Sequence, residues 1–261
     1  MPELPEVEQA MHRLRNAIEG KTIATATALH PSFVRQLPAA STRRLRQQKI
    51  EKVERRGKHQ LIHLSNGSIL HAHFRMNGDW LVTRAGDPVD RFTRAFVDFT
   101  DGTRIELQDS RALSALSLHA AGTDPLPKLG IEANDDALDA QYLQAKLKAR
   151  RGPIKPALMD QAVIAGLGNI YAAESLWHAR ISPKAVAASV SRTRLERLIE
   201  GIRRVLDPDH RPPGRYTERE GRDRFEVYDR QGMPCSRCGT SIRRIPQAGR
   251  STYYCPRCQR S

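Results

Sequence analysis

The residues best suited to chemistry stand at the start of the chain, which begins Met1-Pro2-Glu3. Removal of Met1 would leave Pro2 as a free secondary amine beside a carboxylate. An α-amino group titrates near about pH 7.7–8, so part of it is unprotonated at neutral pH and can act as a nucleophile. Its condensation with an aldehyde-level carbon gives an iminium ion that stays positively charged and withdraws electrons. The alternative is that a Met-Pro start reflects stable processing alone.

A second chemical pattern is formed by the four cysteines of the chain: Cys235, Cys238, Cys255 and Cys258. They fall in two Cys-x2-Cys pairs with sixteen residues between the pairs. Each pair can bind one side of a tetrahedral Zn²⁺, and the separation suits a β-hairpin. Two disulfides are the alternative, which the expected reducing compartment disfavours. We therefore expect one structural zinc ion with no open ligand position.

A third pattern combines Lys155 with the segment from Gly166 through Gly168 to Asn169. Two glycines allow the backbone to approach another molecule closely, and the helix that follows begins with free N–H groups. Such a turn can bind a phosphate. The alternative is a glycine-rich turn between packed helices, and the nearby lysine favours the phosphate site.

The charge of the chain indicates a polyanionic partner. Its 261 residues include 43 Lys and Arg against 29 Asp and Glu, a formal net charge of +14. Residues 230–261 hold seven arginines and no acid. Arginine forks suit phosphates, so nucleic acid is favoured over a merely solvated face. An anionic membrane is the competitor, but no long amphipathic basic helix with an aromatic face is visible. We find no run of 18 apolar residues and no signal-peptide pattern, and we expect a monomeric cytoplasmic protein without membrane partners.

The order of the predicted elements divides the chain into parts. Residues 1–20 are predicted to form a helix, and residues 21–120 short strands of a β-sandwich. Asn66-Gly67 and Asp101-Gly102 stand between alternating runs and predict hairpins. We predict an N-terminal domain over 1–120 and a linker over 121–134.

Helical patterns dominate the following part, predicted as a domain over 135–224. The expected helices cover 137–150, 155–164, 169–178 and 191–206. Residues 207–221 are polar and proline-rich, which predicts a flexible loop. Residues 225–261 are predicted to form the zinc hairpin. The fold class is therefore α+β.

Several motifs in one order resemble the formamidopyrimidine-DNA glycosylase and endonuclease VIII family, and the opening is closer to the first branch. They run from the N-terminal Pro2-Glu3 to the zinc finger, through Arg55-Arg56-Gly57-Lys58, Ile154-Lys155-Pro156 and the Gly166–Ala172 segment with Glu174. The resemblance implies an N-terminal β-sandwich, a helix-two-turns-helix domain and a C-terminal zinc-finger hairpin. It also implies binding of damaged double-stranded DNA and removal of oxidised purines by a glycosylase that is also an abasic-site lyase acting by β,δ-elimination.

Residue roles follow from the same resemblance. Pro2 would attack C1′ of the damaged nucleotide, Glu3 would act as an acid, and Lys58 and Arg250 would assist elimination and bind phosphate. Without the family, Lys58 is an ordinary surface lysine. The residues implied in DNA binding are Met76, Arg111, Leu113, Arg151, Lys155 and Asn169. The first three would fill the space left by an everted base, although core packing is the simpler reading of an isolated Met76.

The chain departs from the family pattern in the parts that select the lesion. Leu113 replaces an aromatic wedge, and Phe92 stands where a histidine often contacts DNA. The 207–221 loop is short and lacks the usual Gly-Gly-Thr-Thr-like segment. Two alternatives therefore stay open: the same chemistry on oxidised pyrimidines or abasic sites, and a non-catalytic zinc-dependent DNA-binding protein.

Overall fold

A computed structural model describes residues 2–210 and 225–260 of the chain. The chain divides into two compact units, Met1–Pro127 and Lys128–Ser261. Of the loop predicted over 207–221, Pro208–His210 form a short 3-10 turn, and residues 211–221 lie outside the described residues. Within the described residues, no helix combines the length and apolar character needed to cross a bilayer.

The first helix, α1 (Leu4–Ile18), confirms the predicted N-terminal helix. Its apolar residues Met11 and Leu14 are fully buried in the core of the first unit, as helical spacing requires. Glu3 and Glu6 form a reciprocal capping box at its start. The helix therefore begins two residues after Pro2.

Two four-stranded antiparallel sheets share one apolar core and form the predicted β-sandwich. The first has the order β1-β6-β7-β5, built from Ile23–Ala28, Thr93–Phe99, Thr103–Gln108 and Asp79–Arg84. The second has the order β2-β3-β4-β8, built from Ile50–Arg56, His59–Leu64, Ile69–His73 and Ala115–His119. Both predicted hairpins, β3–β4 and β6–β7, are confirmed.

The prediction of strands alone over residues 21–120 was wrong at one place. Two short helices, α2 (Pro31–Gln36) and α3 (Ala39–Leu45), lie between β1 and β2. Proline suits the first turn of a helix, and the His30 side chain accepts the N–H of Ser32 there. Phe33 is fully buried in the sandwich core, so tertiary packing stabilises a helix too short to form alone.

The second unit contains the predicted helices, with shifted ends. They are α4 (Ala140–Leu147), α5 (Ile154–Met159), α6 (Asn169–His178) and α7 (Arg192–Leu206). The helix predicted over 155–164 ends at Met159, because Asp160 leaves the helical conformation and its carboxylate accepts the N–H of Ala162. Two of the following residues instead form strand β10 (Ile164–Ala165), which pairs in parallel with β9 (Ile131–Glu132) inside the predicted linker.

The C-terminal part of this unit is a two-stranded hairpin of β11 (Arg243–Gln247) and β12 (Arg250–Tyr254). The turn between the strands is Ala248-Gly249, and both residues have positive φ, at 47° and 70°. This is the two-residue hairpin geometry that matches the strand twist. Arg250 therefore stands at the tip of the hairpin, and Cys255 directly follows its base.

Candidate DNA-binding and catalytic sites

The N-terminal amine region is held by the first turn of α1. Pro2 is partly exposed, whereas Glu3 is only 1% exposed. The backbone N–H of Glu3 donates to the Glu6 carboxylate at 2.9 Å. Glutamate is not a preferred N-cap residue, so its place here indicates a demand other than capping. A buried carboxylate thus directly adjoins the residue whose amine would react.

Lys58 lies at the turn between β2 and β3, and α1 runs antiparallel to β2. The carboxylate of Glu8, in the first turns of α1, pairs with Arg55 near the end of β2. Arg15, near the other end of the helix, donates to the carbonyl of Val53. The start of α1 therefore lies at the end of the sheet that carries Lys58. Lys58 is 6% exposed, so the prediction of an ordinary surface lysine does not fit.

Three histidines, of which the first directly follows Lys58, lie in close contact, and no sequence motif indicated them as a group. His59 Nδ1 is 2.9 Å from His71 Nε2, and the rings of His59 and His73 meet edge to face. Burial, aided by nearby positive charges such as Arg75, lowers the pKa values of His59 and His71 to about 4 and that of His73 to about 3. These imidazoles are consequently neutral near pH 7.

The predicted wedge residues lie on two neighbouring turns. Met76 is partly exposed in the turn between β4 and β5, and Leu113 is 48% exposed between β7 and β8. Arg111 is exposed on the same turn as Leu113. The Ser114 hydroxyl donates to the carbonyl of Phe74 at 3.0 Å and joins the two turns. Met76 is thus outside the sandwich core, against the simpler reading of core packing.

Asp109 organises the Arg111–Ser114 turn, a role that no sequence motif had indicated. Its buried carboxylate accepts the backbone N–H groups of Arg111, Leu113 and Ser114 at 2.7–2.9 Å, and also the Ser114 hydroxyl. Burial alone would raise the pKa of this carboxyl, but these hydrogen bonds outweigh it and the pKa is lowered. The turn therefore depends on an ionised Asp109.

We expect Asp109→Asn to destabilise the protein by about 1–3 kcal/mol, because an amide group would face N–H donors that now share a carboxylate. Thermal unfolding should show a lower Tm, and binding of lesion-containing DNA should weaken through the disordered turn. The matched control is Asp90→Asn, since Asp90 is exposed and accepts one turn N–H, from Phe92. Equal Tm values for the two variants would contradict this role.

In the second unit, Lys155 and Asn169 lie together and hold the zinc-finger hairpin. Lys155 is 1% exposed, and its ammonium donates to the Asn169 side chain and to Thr252 Oγ1 at 2.9 Å. Asn169 Nδ2 donates to the carbonyl of Ser251 at 3.1 Å. Both residues thus connect the start of α6 to the strand that begins with Arg250. Lys155 was expected to bind phosphate, but its burial favours a positioning role.

The glycine-rich turn before α6 is held by Gln161, which sequence analysis had not singled out. The Gln161 side chain accepts the N–H of Gly166 at 3.0 Å and donates to the carbonyl of Leu167 at 2.8 Å. Gly166 has a φ of +89°, which a residue with a side chain adopts rarely. This turn directs the N-terminus of α6, with Asn169 as its first residue.

Two predicted phosphate-binding arginines are accessible in the second unit. Arg250 is exposed at the hairpin tip, and Arg151 is exposed before α5.

The hairpin itself is attached through Glu174 of α6, whose carboxylate accepts the N–H groups of residues 226–228 at 2.8–3.0 Å. Burial raises the pKa of Glu174 to about 7, although these hydrogen bonds oppose the rise.

The four cysteines form a closed metal site. Their Sγ atoms all lie within 4.8 Å of one another, and those of Cys235 and Cys258 are 4.0 Å apart. A tetrahedral Zn²⁺ with Zn–S bonds of about 2.3 Å separates its sulfurs by about 3.8 Å, so the arrangement fits. No disulfide joins the cysteines. They hold one structural zinc ion, and all four coordination positions belong to the protein.

Three family models match successive parts of the chain. Residues 1–116 match the formamidopyrimidine-DNA glycosylase N-terminal domain, and residues 129–209 match the H2TH domain of the same glycosylase. Residues 232–260 match the zinc finger found in FPG and IleRS. Together these matches cover most of the chain in the expected order.

Curated relatives match over full length. The formamidopyrimidine-DNA glycosylase of Carboxydothermus hydrogenoformans is 37% identical over 270 residues and covers 100% of both chains. Those of Ruegeria pomeroyi and Bacillus cereus are 36% and 35% identical, with 100% and 99% of each chain covered.

Solved structures of the same kind match the fold. Lactococcus lactis formamidopyrimidine-DNA glycosylase, bound non-covalently to DNA with an AP site, aligns with a TM-score of 0.90 and 29% identity, covering 99% of this chain and 100% of that one. A structure of MutM with DNA containing carbocyclic 8-oxo-G aligns with a TM-score of 0.90 and 30% identity, covering 100% of both chains. The chain belongs to the formamidopyrimidine-DNA glycosylase family.

Proposed function

We propose that this protein is a bifunctional DNA glycosylase and abasic-site lyase of base excision repair, which removes oxidised purines from double-stranded DNA. The observation that carries the proposal is the buried Glu3 beside Pro2 at the start of α1, in a chain that matches the glycosylase family along its whole length. The proposal includes removal of Met1 and action as a cytoplasmic monomer.

The reaction begins at C1′ of the damaged nucleotide. The Pro2 nitrogen attacks C1′, and the bond from C1′ to the base breaks. Glu3 supplies a proton that helps the sugar ring to open or the base to leave. The resulting iminium acidifies the C2′ proton, whose loss expels the 3′ phosphate. A second elimination expels the 5′ phosphate, and hydrolysis of the iminium restores the amine.

Phosphate binding aligns the DNA for this attack. Arg250 and Arg151 are the exposed cations that would contact the backbone, and Asn169 lies at the N-terminus of α6, where N–H groups favour anions. Lys155 acts on Arg250 indirectly, because its ammonium is bound to the strand that Arg250 begins. Lys58 would assist elimination from the turn after β2. The zinc ion supplies structure and takes no part in the chemistry.

Eversion of the nucleotide leaves a gap in the DNA stack, which Met76, Arg111 and Leu113 would fill. Leu113 has no ring to stack on a neighbouring base, so its stabilisation of the kinked duplex is weaker than that of an aromatic wedge. This substitution and the short 207–221 segment favour a second candidate, the same chemistry on oxidised pyrimidines or on abasic sites.

A cleavage assay on a set of lesions tests the proposal. Duplexes carrying 8-oxoguanine, formamidopyrimidine, thymine glycol or dihydrouracil are compared under single-turnover conditions with a preformed abasic duplex as control. We expect the two purine lesions to be excised at least about tenfold faster than the pyrimidine lesions, a difference of about 1.4 kcal/mol. Faster pyrimidine excision would support the second candidate. If none of the substrates is cleaved, the candidate function that remains is that of a non-catalytic DNA-binding protein.

A further inference from the structure

A cavity in the second unit is surrounded by positive charge. Its volume is about 900 Å³, and it is open to solvent. Besides Cys238 and Cys258, its lining consists of six arginines: Arg180, Arg194, Arg197, Arg237, Arg257 and Arg260. We call this group the arginine cavity. Among the described residues, no acid and no aromatic ring lines it. The ligand that suits it best is therefore an anion that is bound through its charge and not through a base.

The arginines of the cavity have no carboxylate partners in the described residues. Elsewhere in the described chain many arginines pair with acids, as Arg104 does with Asp98 at 2.6 Å. Glu196 lies between Arg194 and Arg197 in sequence, yet it pairs with Arg192. Six like charges around one cavity repel one another, and this cost is offset when an anion binds.

The zinc centre does not account for this charge. Four thiolates and one Zn²⁺ carry a net charge of −2, and two of the cysteines line the cavity. About four of the six positive charges remain unbalanced. A hydrogen bond and a cation–π contact position two of the arginines: Arg194 donates to the carbonyl of Arg260 at 2.6 Å, and the Arg237 guanidinium lies 3.8 Å from the ring centroid of Trp177.

The arginine cavity is distinct from the phosphate contacts proposed above. Asn169 begins α6, whereas Arg180 follows its last residue by two positions. At about 1.5 Å per residue, the two ends of this ten-residue helix are about 15 Å apart. The zinc-finger hairpin shows the same separation, because Arg250 lies at its tip and the cysteines at its base.

We propose that the arginine cavity is a second anion site that binds consecutive phosphate groups, most simply those of a nucleic-acid backbone outside the lesion complex. Arginine forks bind phosphate oxygens in pairs, and their number here matches a ligand with several phosphates rather than one. Free oligophosphate has the same chemistry. The cavity would thus hold a second DNA segment while a lesion duplex is bound for the reaction proposed above.

The test uses the zinc-loaded full chain saturated with a duplex that carries a tetrahydrofuran abasic analogue. Fluorescence anisotropy then measures binding of a labelled undamaged duplex as salt is varied, with tripolyphosphate as a competitor. The variant is the triple replacement Arg197→Ala, Arg257→Ala and Arg260→Ala. We expect this variant to bind the second duplex at least about tenfold more weakly than the wild type does. The slope of log K against log salt should be smaller in magnitude by about 2–3. Tripolyphosphate should displace the second duplex from the wild-type protein and should have no such effect on the variant.

The matched control is the triple replacement Arg43→Ala, Arg44→Ala and Arg46→Ala, which removes three exposed charges from the first unit. It should bind the second duplex within about twofold of wild type. Both triple variants should keep one zinc ion per chain and cleave lesion duplexes at the wild-type rate, which separates this site from the proposed function. Binding of tripolyphosphate without duplex would assign the ligand as free oligophosphate.

Three results would overturn the proposal. The first is a saturated wild-type protein that binds neither duplex nor tripolyphosphate. The second is an equal loss of binding in the control triple variant, which would reduce the effect to net charge. The third is loss of zinc from the cavity variant in parallel with phosphate binding, because the arginines would then serve the metal centre.

Discussion

Pro2→Gly is expected to slow cleavage of a preformed abasic duplex by on the order of a hundredfold or more, the range that loss of a positioned catalytic group commonly costs. Glycine retains a terminal amine, so a Schiff base can still form. The glycine adduct is a secondary imine that loses its proton and its charge, whereas the proline adduct remains a cation. The electron withdrawal that acidifies the C2′ proton is therefore reduced. Single-turnover cleavage under matched conditions measures the change.

Pro88→Gly is the matched control, because Pro88 is exposed in the loop between β5 and β6 and takes no part in the reaction. This variant should cleave at the wild-type rate. Intact mass must show that Met1 has been removed from both variants. A Pro2→Gly protein that cleaves within about twofold of wild type would show that the nucleophile lies elsewhere.

Removal of zinc is expected to reduce lesion-DNA binding at least about a hundredfold. Structural zinc contributes about 10–16 kcal/mol to the folding of isolated zinc-finger peptides, so the hairpin has little to hold it without metal. Arg250 and the strand bound by Lys155 would then lose their positions. Loss of two charge-assisted hydrogen bonds from the Arg250 fork to phosphate, at about 1.5–3 kcal/mol each, accounts for this factor. Binding titration before and after chelation provides the measurement.

Readdition of Zn²⁺ to the chelated protein is the control and should restore binding. Cys255→Ser should reproduce the metal-free result, because Cys255 is fully buried and serine is a poor zinc ligand. Wild-type affinity in protein shown by metal analysis to be zinc-free would contradict the structural role.

Local sequence signals were sufficient for much of the fold. The Asn66-Gly67 and Asp101-Gly102 turns located two hairpins, and the cysteine spacing predicted the zinc hairpin. The same signals failed where packing decides the structure. Phe33 stabilises a helix that is only six residues long, and the carboxylate of Asp160 ends α5 before the predicted boundary. The packing of Phe33 joins it to core residues that no short window of sequence relates, whereas Asp160 ends the helix through a local contact with Ala162.

Some parts of the candidate site could be predicted from the sequence, and others could not. Pro2 and Glu3 are adjacent, so their pairing was visible from the chain itself. The burial of Lys155 was not, because its partner Thr252 lies 97 residues away. Asp109 and Gln161 act through backbone N–H groups and carbonyls, which leave no trace in residue type. Positioning residues of this kind become apparent only when the fold is known.

The central claim is that the Pro2 nitrogen becomes covalently bound to the sugar of the damaged nucleotide. Borohydride reduction during reaction with an abasic duplex, followed by proteolysis and mass spectrometry, tests it most directly. The account predicts one reduced adduct, on the peptide that begins with Pro2. An adduct on a lysine such as Lys58, or no adduct while the DNA is cleaved, would contradict it.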